Sequence, residues 1–396
     1  MKKKYLALGL CSALMATSSF ADVNIGLLGG MTGGTAAMAP QIMKAYDLAI
    51  KQVNEQGGIL KGEKLVGITA DDGCNPQLGA DAASKVVNVS RVIAVAGPWC
   101  SGAVLAAANS VTIPAGVVLV TPAGTSPQIT ALKDNDLVFR TVASDEYQGQ
   151  VLARTLLKRG TKEVAVSFLN NDYGKGLAES FRKEFEAKGG KISGYAAHEE
   201  NKSSYRTDLA SLARAGADTL VIFDYADTSG LTVMREVLEN DFFQNIVGGE
   251  GMKTSTLIKS LGAENLSTLL VSSPVSTTST ASELFNQQFK AVSGDPNAVF
   301  TNTGYDAVFM LALAIEKAKG DKAGISSALR AISGTEGDAI LPGEWSKAKA
   351  LIESGKPIHY QGASGSLSFD ANGDVPGSYA LFNVADKDYK FISNME

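Results

Sequence analysis

The chain has 396 residues, of which 45% are hydrophobic and 19% are charged, and its formal net charge is −5. This length exceeds one ordinary hydrophobic core, so we expect two lobes. A mildly acidic chain has the wrong sign for nonspecific attraction to nucleic acid or to anionic membranes, and no nucleic-acid partner is expected.

The first 21 residues have the pattern of a secretory signal. Three lysines at 2–4 precede an apolar run, and a small-x-small cleavage site lies at 19–21, directly before Asp22. The apolar run is too short to cross a bilayer, and no later stretch has about 18 uninterrupted apolar residues. We therefore expect a soluble, exported protein that begins at Asp22.

Removal of the signal would also remove Cys11 and leave Cys74 and Cys100. Two cysteines in an oxidising compartment favour one disulfide, and the alternative is a pair of buried free thiols. Their spacing excludes a C-x-x-C metal or redox motif.

Short β-prone runs alternate with helix-prone segments along most of the remaining chain. The predicted strands are VNIGLLGG, KLVGITA, RVIAVA, GVVLVT, EVAVSFL, KISGYAAH, TLVIFDY, QNIVGG and STLLVSS. Helices are predicted between them, the first two near 37–55 and 77–89. This alternation predicts an α/β fold with parallel sheets that carry helices on both faces.

Three segments have the character of crossings between lobes: 137–150, 267–280 and 360–384. The last of them ends in two alternating strands around an Asn-Gly turn, which predicts an antiparallel hairpin there.

Three turns follow predicted strands and are rich in small and polar residues: ADDGCNP (70–76), GPWCSGA (97–103) and VTPAGTSP (120–127). Such turns present free backbone N–H groups and hydroxyls at the edge where open α/β sheets bind ligands. None of them pairs a nucleophile with a base. The pattern predicts a site that holds a small charged molecule without reacting with it.

Other signs of enzyme or metal chemistry are weak. His198 and His359 are interpreted as surface or structural residues, and the glycine-rich stretch 26–34 matches neither a dinucleotide nor a phosphate loop. Asp71 and Asp72 could hold a metal, but paired acids at a strand end are usually solvated or cap a helix. We expect no enzyme activity, no metal and no cofactor.

The quoted motifs together resemble a known family. GGMTGGTAAMAP, NEQGGILKGEKLVGITADDGCNP, GPWCSGA, TPAGTSPQIT, FRTVASDEYQGQ, NNDYGKG and GGEG occur in the order and spacing of periplasmic solute-binding proteins of the branched-chain amino acid type. These proteins are the soluble receptors of ABC importers. The resemblance implies a periplasmic monomer that delivers an amino acid to a membrane permease.

The resemblance also implies an architecture. It predicts two Rossmann-like lobes joined by three crossover segments, with the ligand cleft between them. The first lobe would combine 22–142 with 275–361, and the second would combine 143–272 with 364–396. The family pattern also supports a Cys74–Cys100 disulfide that braces the loop before Ser101.

Site residues follow from the motifs that match the family. Ser101 and the Ala123–Thr125 turn would hold the ligand α-carboxylate. The Ala123 carbonyl, the Thr125 hydroxyl and Glu250 would hold the α-ammonium, since a buried cation needs an anionic partner.

Two tyrosines would close the second-lobe side, Tyr173 and Tyr225. The alternatives are that Tyr173 packs at a helix start and that Glu250 is a surface acid.

Two positions depart from the family pattern. Thr35 stands where many members have an aromatic residue, and Trp99 precedes Cys100, where a smaller aliphatic residue or Phe is common. Trp99 is predicted to face the ligand side chain, which indicates an apolar amino acid; the alternative is packing under the loop.

Two other functions remain open at this point. One is a receptor for an amide- or urea-type solute, which Glu250 argues against. The other is a sensor that reports ligand occupancy to a membrane receptor.

Overall fold

The computed structural model describes residues 22–396, so the predicted signal at 1–21 lies outside the described part. Five parallel strands form the first sheet in the order β2-β1-β3-β4-β5. Their bounds are β1 Val23–Gly29, β2 Leu65–Asp71, β3 Ala94–Ala96, β4 Val118–Thr121 and β5 Val138–Arg140. This is a doubly wound order, whose direction of winding reverses between β1 and β3.

The second sheet has seven strands in the order β14-β13-β10-β9-β8-β6-β7. Its parallel part contains β6 Glu163–Leu169, β7 Lys191–His198, β8 Thr219–Phe223, β9 Asn245–Gly248 and β10 Leu269–Val275. The winding reverses between β6 and β8, so the second sheet repeats the plan of the first. The last two strands, β13 Ser378–Ala385 and β14 Asp388–Met395, pair antiparallel.

Helices cover these sheets and connect their strands. In the first half they are α1 Ala39–Glu55, α2 Pro76–Ser84, α3 Ser101–Ala107, α4 Pro127–Thr130, α5 Asp145–Lys158 and α6 Asp172–Ala187. Further along they are α7 Arg206–Ala213, α8 Leu231–Glu239, α9 Ser255–Leu261, α10 Thr280–Ala291, α11 Thr301–Lys317, α12 Ile325–Ile332 and α13 Trp345–Glu353. A short parallel pair, β11 Asp338–Ile340 and β12 Ile358–Tyr360, lies among the last helices.

The chain returns to the first sheet after β10. Helix α11 is buried along most of its length and belongs to one hydrophobic cluster with β1, β3, β4 and α1. We call the first sheet with its helices the first lobe, and the second sheet with its helices the second lobe. The predicted residue boundaries of the lobes stay a prediction.

Several helices that begin at the strand ends have side-chain caps. Asn75, Ser126, Ser144, Asn171 and Thr254 each accept a hydrogen bond from a backbone N–H in the first turn of the following helix. Caps of this kind fix where a helix starts and how the preceding loop enters it. The loops between strand ends and helices, which carry the site, are therefore well anchored.

The antiparallel hairpin exists, but the predicted turn was wrong. Its strands are β13 and β14, and they turn at Asp386 and Lys387, both of which have positive φ. The Asn372-Gly373 turn instead approaches β5, where the Gly373 carbonyl accepts a hydrogen bond from the Arg140 N–H at 3.1 Å. Within residues 22–396, no helix combines the length and apolar character needed to cross a membrane.

Candidate functional site

The predicted site residues lie at the carboxyl ends of the strands, on both sides of the interface between the lobes. In the first lobe, Thr35 follows β1, Trp99 and Ser101 follow β3, and Ala123 and Thr125 follow β4. In the second lobe, Tyr173 follows β6, Tyr225 follows β8, and Glu250 follows β9. All eight side chains are buried. The two points where the winding reverses therefore face each other.

Ser101 is the first residue of α3 and is 1% exposed. Its Oγ accepts a hydrogen bond from the Ser126 N–H at 3.1 Å, which leaves its own hydroxyl hydrogen free to be donated. The neighbouring turn is shaped by Thr121, whose Oγ1 accepts from the Gly124 N–H at 2.9 Å and donates to the Pro98 carbonyl at 2.6 Å. The Gly124 and Ser126 N–H groups are therefore engaged within the turn, and the Ser101 hydroxyl is left as a donor that suits an anion.

Two buried acids lie on the other side of the site. Glu250 is 2% exposed, and its Oε2 accepts a hydrogen bond from the Gln148 amide at 2.7 Å. Asp145 is fully buried, and its backbone N–H donates to the Thr125 carbonyl at 2.8 Å. Asp145 therefore ties the start of α5 to the predicted carboxylate turn, close to Glu250.

Four buried oxygen atoms at this point make no well-formed hydrogen bond among residues 22–396, although the Thr125 hydroxyl lies near enough to Asp145 to lower its pKa. They are Thr125 Oγ1, Asp145 Oδ1, Asp145 Oδ2 and Gln148 Oε1. An unpartnered buried polar atom costs free energy, so such a cluster is a signature of a site that receives donors from outside.

Burial raises the pKa of both acids, and charge repulsion adds to this for Asp145. Burial is the main cause of the raised pKa of Asp145, and the charge of Glu250 raises it further, while the Thr125 hydroxyl and Arg140 act in the opposite direction. Burial also raises the pKa of Glu250, and the hydrogen bond from Gln148 opposes this. A cation placed between the acids would remove the repulsion and favour both charged forms.

Tyr173 and Tyr225 form the aromatic wall of the second lobe. Their rings stack with centroids 4.9 Å apart and an interplanar angle of 15°. The Tyr225 ring also meets Gly34 of the first lobe, where an added Cβ would lie 2.7 Å from a ring carbon. Only glycine permits this close approach between the lobes.

Thr35 and Trp99 are buried inside the first lobe. Thr35 Oγ1 donates to the Gly30 carbonyl at 2.9 Å. The Trp99 ring lies against Gly29, and its Nε1 donates to the Tyr46 hydroxyl at 3.0 Å. These contacts are those of core packing, and the predicted ligand contacts of both residues stay predictions.

Cys74 and Cys100 form a disulfide, with Cα atoms 5.3 Å apart. The bond joins the turn after β2 to the residue immediately before Ser101. Asp71 reinforces the same region, since its Oδ1 accepts from the backbone N–H groups of Met31 and Gly73 at 2.9 Å. No group of three or more potential metal ligands occurs among the described residues.

Sequence reasoning missed Asp145 and Gln148. Both occur in FRTVASDEYQGQ, which was interpreted as a crossing segment and a polar helix start. Their spacing of three residues on α5 places them on one helix face, and this pattern was the available signal.

A cleft of about 1220 Å³ also opens between the lobes, beside the crossings. It is lined by Ala37, Thr141, Lys253, Pro274 and Asn302, among others, and by none of the eight predicted residues. The buried polar and aromatic side chains described above lie at the strand ends, so we take that cluster as the candidate site.

A family model described as periplasmic binding protein matches residues 22–359. The chain belongs to this family. Its members are solute-binding receptors, and the two-lobed α/β fold is that of the family's first type.

Named relatives and solved structures are consistent with this family assignment. The chain is 30% identical over 373 residues to Leu/Ile/Val-binding protein homolog 3 of Brucella melitensis, covering 94% of each chain. It is 29% identical to a leucine-, isoleucine-, valine-, threonine- and alanine-binding protein of Pseudomonas aeruginosa, covering 84% of this chain and 90% of that one.

Among solved structures, a leucine-binding protein of Thermotoga maritima is similar in fold, with a TM-score of 0.81 and 24% identity, covering 94% of this chain and 99% of that one.

Proposed function

We propose that the protein is a receptor that captures a free α-amino acid with an apolar side chain, above all a branched-chain one, and delivers it to the permease of an ABC importer. The observation that carries this proposal is the cluster of unpartnered oxygens of Thr125, Asp145 and Gln148 beside Glu250. An α-ammonium supplies three N–H donors and one positive charge, which is what this cluster lacks.

The opposite side of the site supports the other half of the ligand. The Ser101 hydroxyl and the backbone N–H groups at the start of α3 can donate to a carboxylate. The distribution of acceptors at one end and donors at the other is complementary to a zwitterion. An uncharged amide or urea solute would leave the two buried acids without a cation.

The apolar side chain is inferred from the relatives, whose names state binding of leucine, isoleucine and valine. No Lys or Arg occurs in the anchor motifs GPWCSGA, TPAGTSP and GGEG, so a ligand with an acidic side chain would lack a partner there. The aromatic wall of Tyr173 and Tyr225 is compatible with an aliphatic side chain.

The remaining parts of the proposal concern the protein's setting. We place it in the periplasm after removal of residues 1–21, as a monomer that uses no cofactor and performs no chemical conversion. The family's role as solute-binding receptors supports this setting.

A thermal-shift screen tests the function. Refolded, ligand-stripped protein is heated with each of the common amino acids, and leucine, isoleucine and valine are expected to raise the unfolding temperature most. At 100 times its dissociation constant, a ligand adds about 2.7 kcal/mol to the free energy of unfolding. The Glu250→Gln variant is the matched control and should respond far less. Stabilisation by an amide or urea solute, with none by any amino acid, would overturn the proposal.

A further inference from the structure

A buried hydrogen-bonded chain lies directly behind the aromatic wall in the second lobe. His198, at the end of β7, contacts Ser167 Oγ through Nδ1 and Asp224 Oδ2 through Nε2, both at 2.8 Å. All three side chains are at most 4% exposed. The order of groups is that of a catalytic triad, but all three side chains are buried, so we interpret the arrangement as structural.

The other carboxylate oxygen of Asp224 holds the turn that follows β8. Oδ1 accepts from the Tyr225 N–H and from Ser229 Oγ, both at 2.7 Å. The turn is irregular, with Thr228 at φ −118° and ψ −105°. An irregular turn needs such side-chain bonds, because its backbone groups do not all pair with one another.

This turn makes two contacts with the first lobe. Tyr225 meets Gly34, and Asp227 Oδ2 accepts a hydrogen bond from the Ala37 N–H at 2.7 Å. Tyr225 also stacks on Tyr173 in the site. Residues 224–230 therefore connect the wall of the site to the interface between the lobes.

We propose that His198 is a positioning residue, which acts through Asp224 to fix the turn 224–230 and thereby both Tyr225 and Asp227. Within residues 22–396, the Nε2 group of His198 is the hydrogen-bond partner of Asp224 Oδ2. Its loss would leave a buried carboxylate oxygen unpaired, and the carboxylate would be free to turn away from Tyr225 and Ser229. The expected effect on ligand capture rests on the function proposed above, whereas the effect on the turn does not.

Two substitutions separate hydrogen bonding from packing. Gln at position 198 can place an amide N–H where Nε2 lies, whereas Asn reaches only to the position of Nδ1. His198→Gln therefore keeps the donor to Asp224, and His198→Asn removes it. Both variants replace the imidazole ring by an amide side chain and disturb packing to a similar degree, so each serves as the control for the other.

The first measurement is hydrogen–deuterium exchange of the peptide that contains 224–230, in ligand-free protein. We expect at least tenfold faster exchange of the Tyr225 amide in His198→Asn and nearly wild-type exchange in His198→Gln. If His198→Asn does not fold, Ser229→Ala replaces it, because it removes another bond to Asp224 and should also speed exchange in this peptide. Unchanged exchange, or equal acceleration in the Gln and Asn variants, would overturn the inference.

The second measurement is the affinity for L-leucine by calorimetry. We expect about tenfold weaker binding in His198→Asn and less than threefold in His198→Gln. Equal affinities in wild type and His198→Asn would overturn the link between the turn and capture. If wild-type protein binds neither leucine nor any other amino acid, the proposed function fails, and the exchange result alone decides whether His198 positions the turn.

Discussion

At the scale of single residues, we propose that Glu250 sets the charge of the candidate site. It is buried beside Asp145, and its Oε2 accepts a hydrogen bond from Gln148, an uncharged group. A buried carboxylate has lost the favourable free energy of hydration, and a ligand cation beside it offsets that loss. Asp145 adds a second acceptor, while Arg140 is already engaged by Asp374, at 2.6 Å.

Glu250→Ala is expected to weaken leucine binding by about 2–5 kcal/mol, because the desolvated ammonium loses its charged partner. The exposed Glu239→Ala substitution on α8 is the control and should leave binding unchanged. Calorimetry on stripped proteins gives both affinities. Wild-type affinity in the Glu250 variant would show that the ligand has no ammonium at this position.

Asp72 predicts a dependence of stability on pH. Burial raises its pKa from 3.8 to about 7, the charge of Asp71 adds to this, and the bond from the Cys74 N–H opposes it. The folded protein therefore holds a proton between about pH 4 and 7 that the unfolded chain has lost. Stability contributed by this proton is present below pH 4 and is lost as the pH rises through 7.

Asp72→Asn should remove that loss, which has an upper limit of roughly 3 kcal/mol between pH 5 and pH 8. Urea unfolding of ligand-free protein at pH 5 and pH 8 measures it, and the difference between the two proteins cancels the other titrating groups. Wild type should lose more stability than the variant over this interval. Parallel pH profiles would mean that Asp72 keeps an ordinary pKa in the folded protein.

At the scale of elements, the sequence pattern was sufficient for the nine strands quoted above, but not for the short β11 and β12 or for β14. All nine quoted apolar runs contain a strand, because alternation of buried strands and amphipathic helices is a local property of the chain. The hairpin turn was misassigned, because Asn372-Gly373 is a strong local signal for a turn but Asp386 and Lys387 adopt the required positive φ. Part of the candidate site, Asp145 and its neighbour Gln148, was not predicted, because the proximity of Asp145 to Glu250 depends on tertiary packing.

The disulfide is the covalent link between two elements of the site. Cys74 and Cys100 are 26 residues apart, and closing a loop of this size stabilises the folded state by about 3–4 kcal/mol in the chain-entropy model. The double Cys74→Ser, Cys100→Ser variant should lose that amount in urea unfolding. Thiol titration under denaturant is the direct check on wild type, where two reactive thiols would contradict the bond.

At the scale of the whole molecule, the lobes meet through hydrogen bonds on several sides of the site. Ala37 bonds to Asp227, the Gln128 amide bonds to Asp172 at 3.2 Å, and Lys253 Nζ bonds to the Asn297 carbonyl at 3.0 Å. Crossings that contain few residues permit one lobe to rotate against the other. The buried site requires such a rotation for ligand entry.

Ligand should therefore shift the molecule toward this closed arrangement. Small-angle scattering of stripped protein is expected to give a larger radius of gyration than the same protein with saturating leucine. Asp227→Ala removes one bond between the lobes and should weaken leucine binding without changing the scattering of the stripped protein. A profile that is the same with and without leucine would contradict closure.

The most direct test of the central claim, that the site binds a free α-amino acid through both of its charges, is a calorimetric comparison of three ligands. Stripped protein is titrated with L-leucine, N-acetyl-L-leucine and L-leucinamide, which share a side chain but differ at the ammonium or the carboxylate. We expect binding of leucine and at least hundredfold weaker binding of the other two, which corresponds to about 2.7 kcal/mol or more. Equal binding of N-acetyl-L-leucine and leucine would contradict the account.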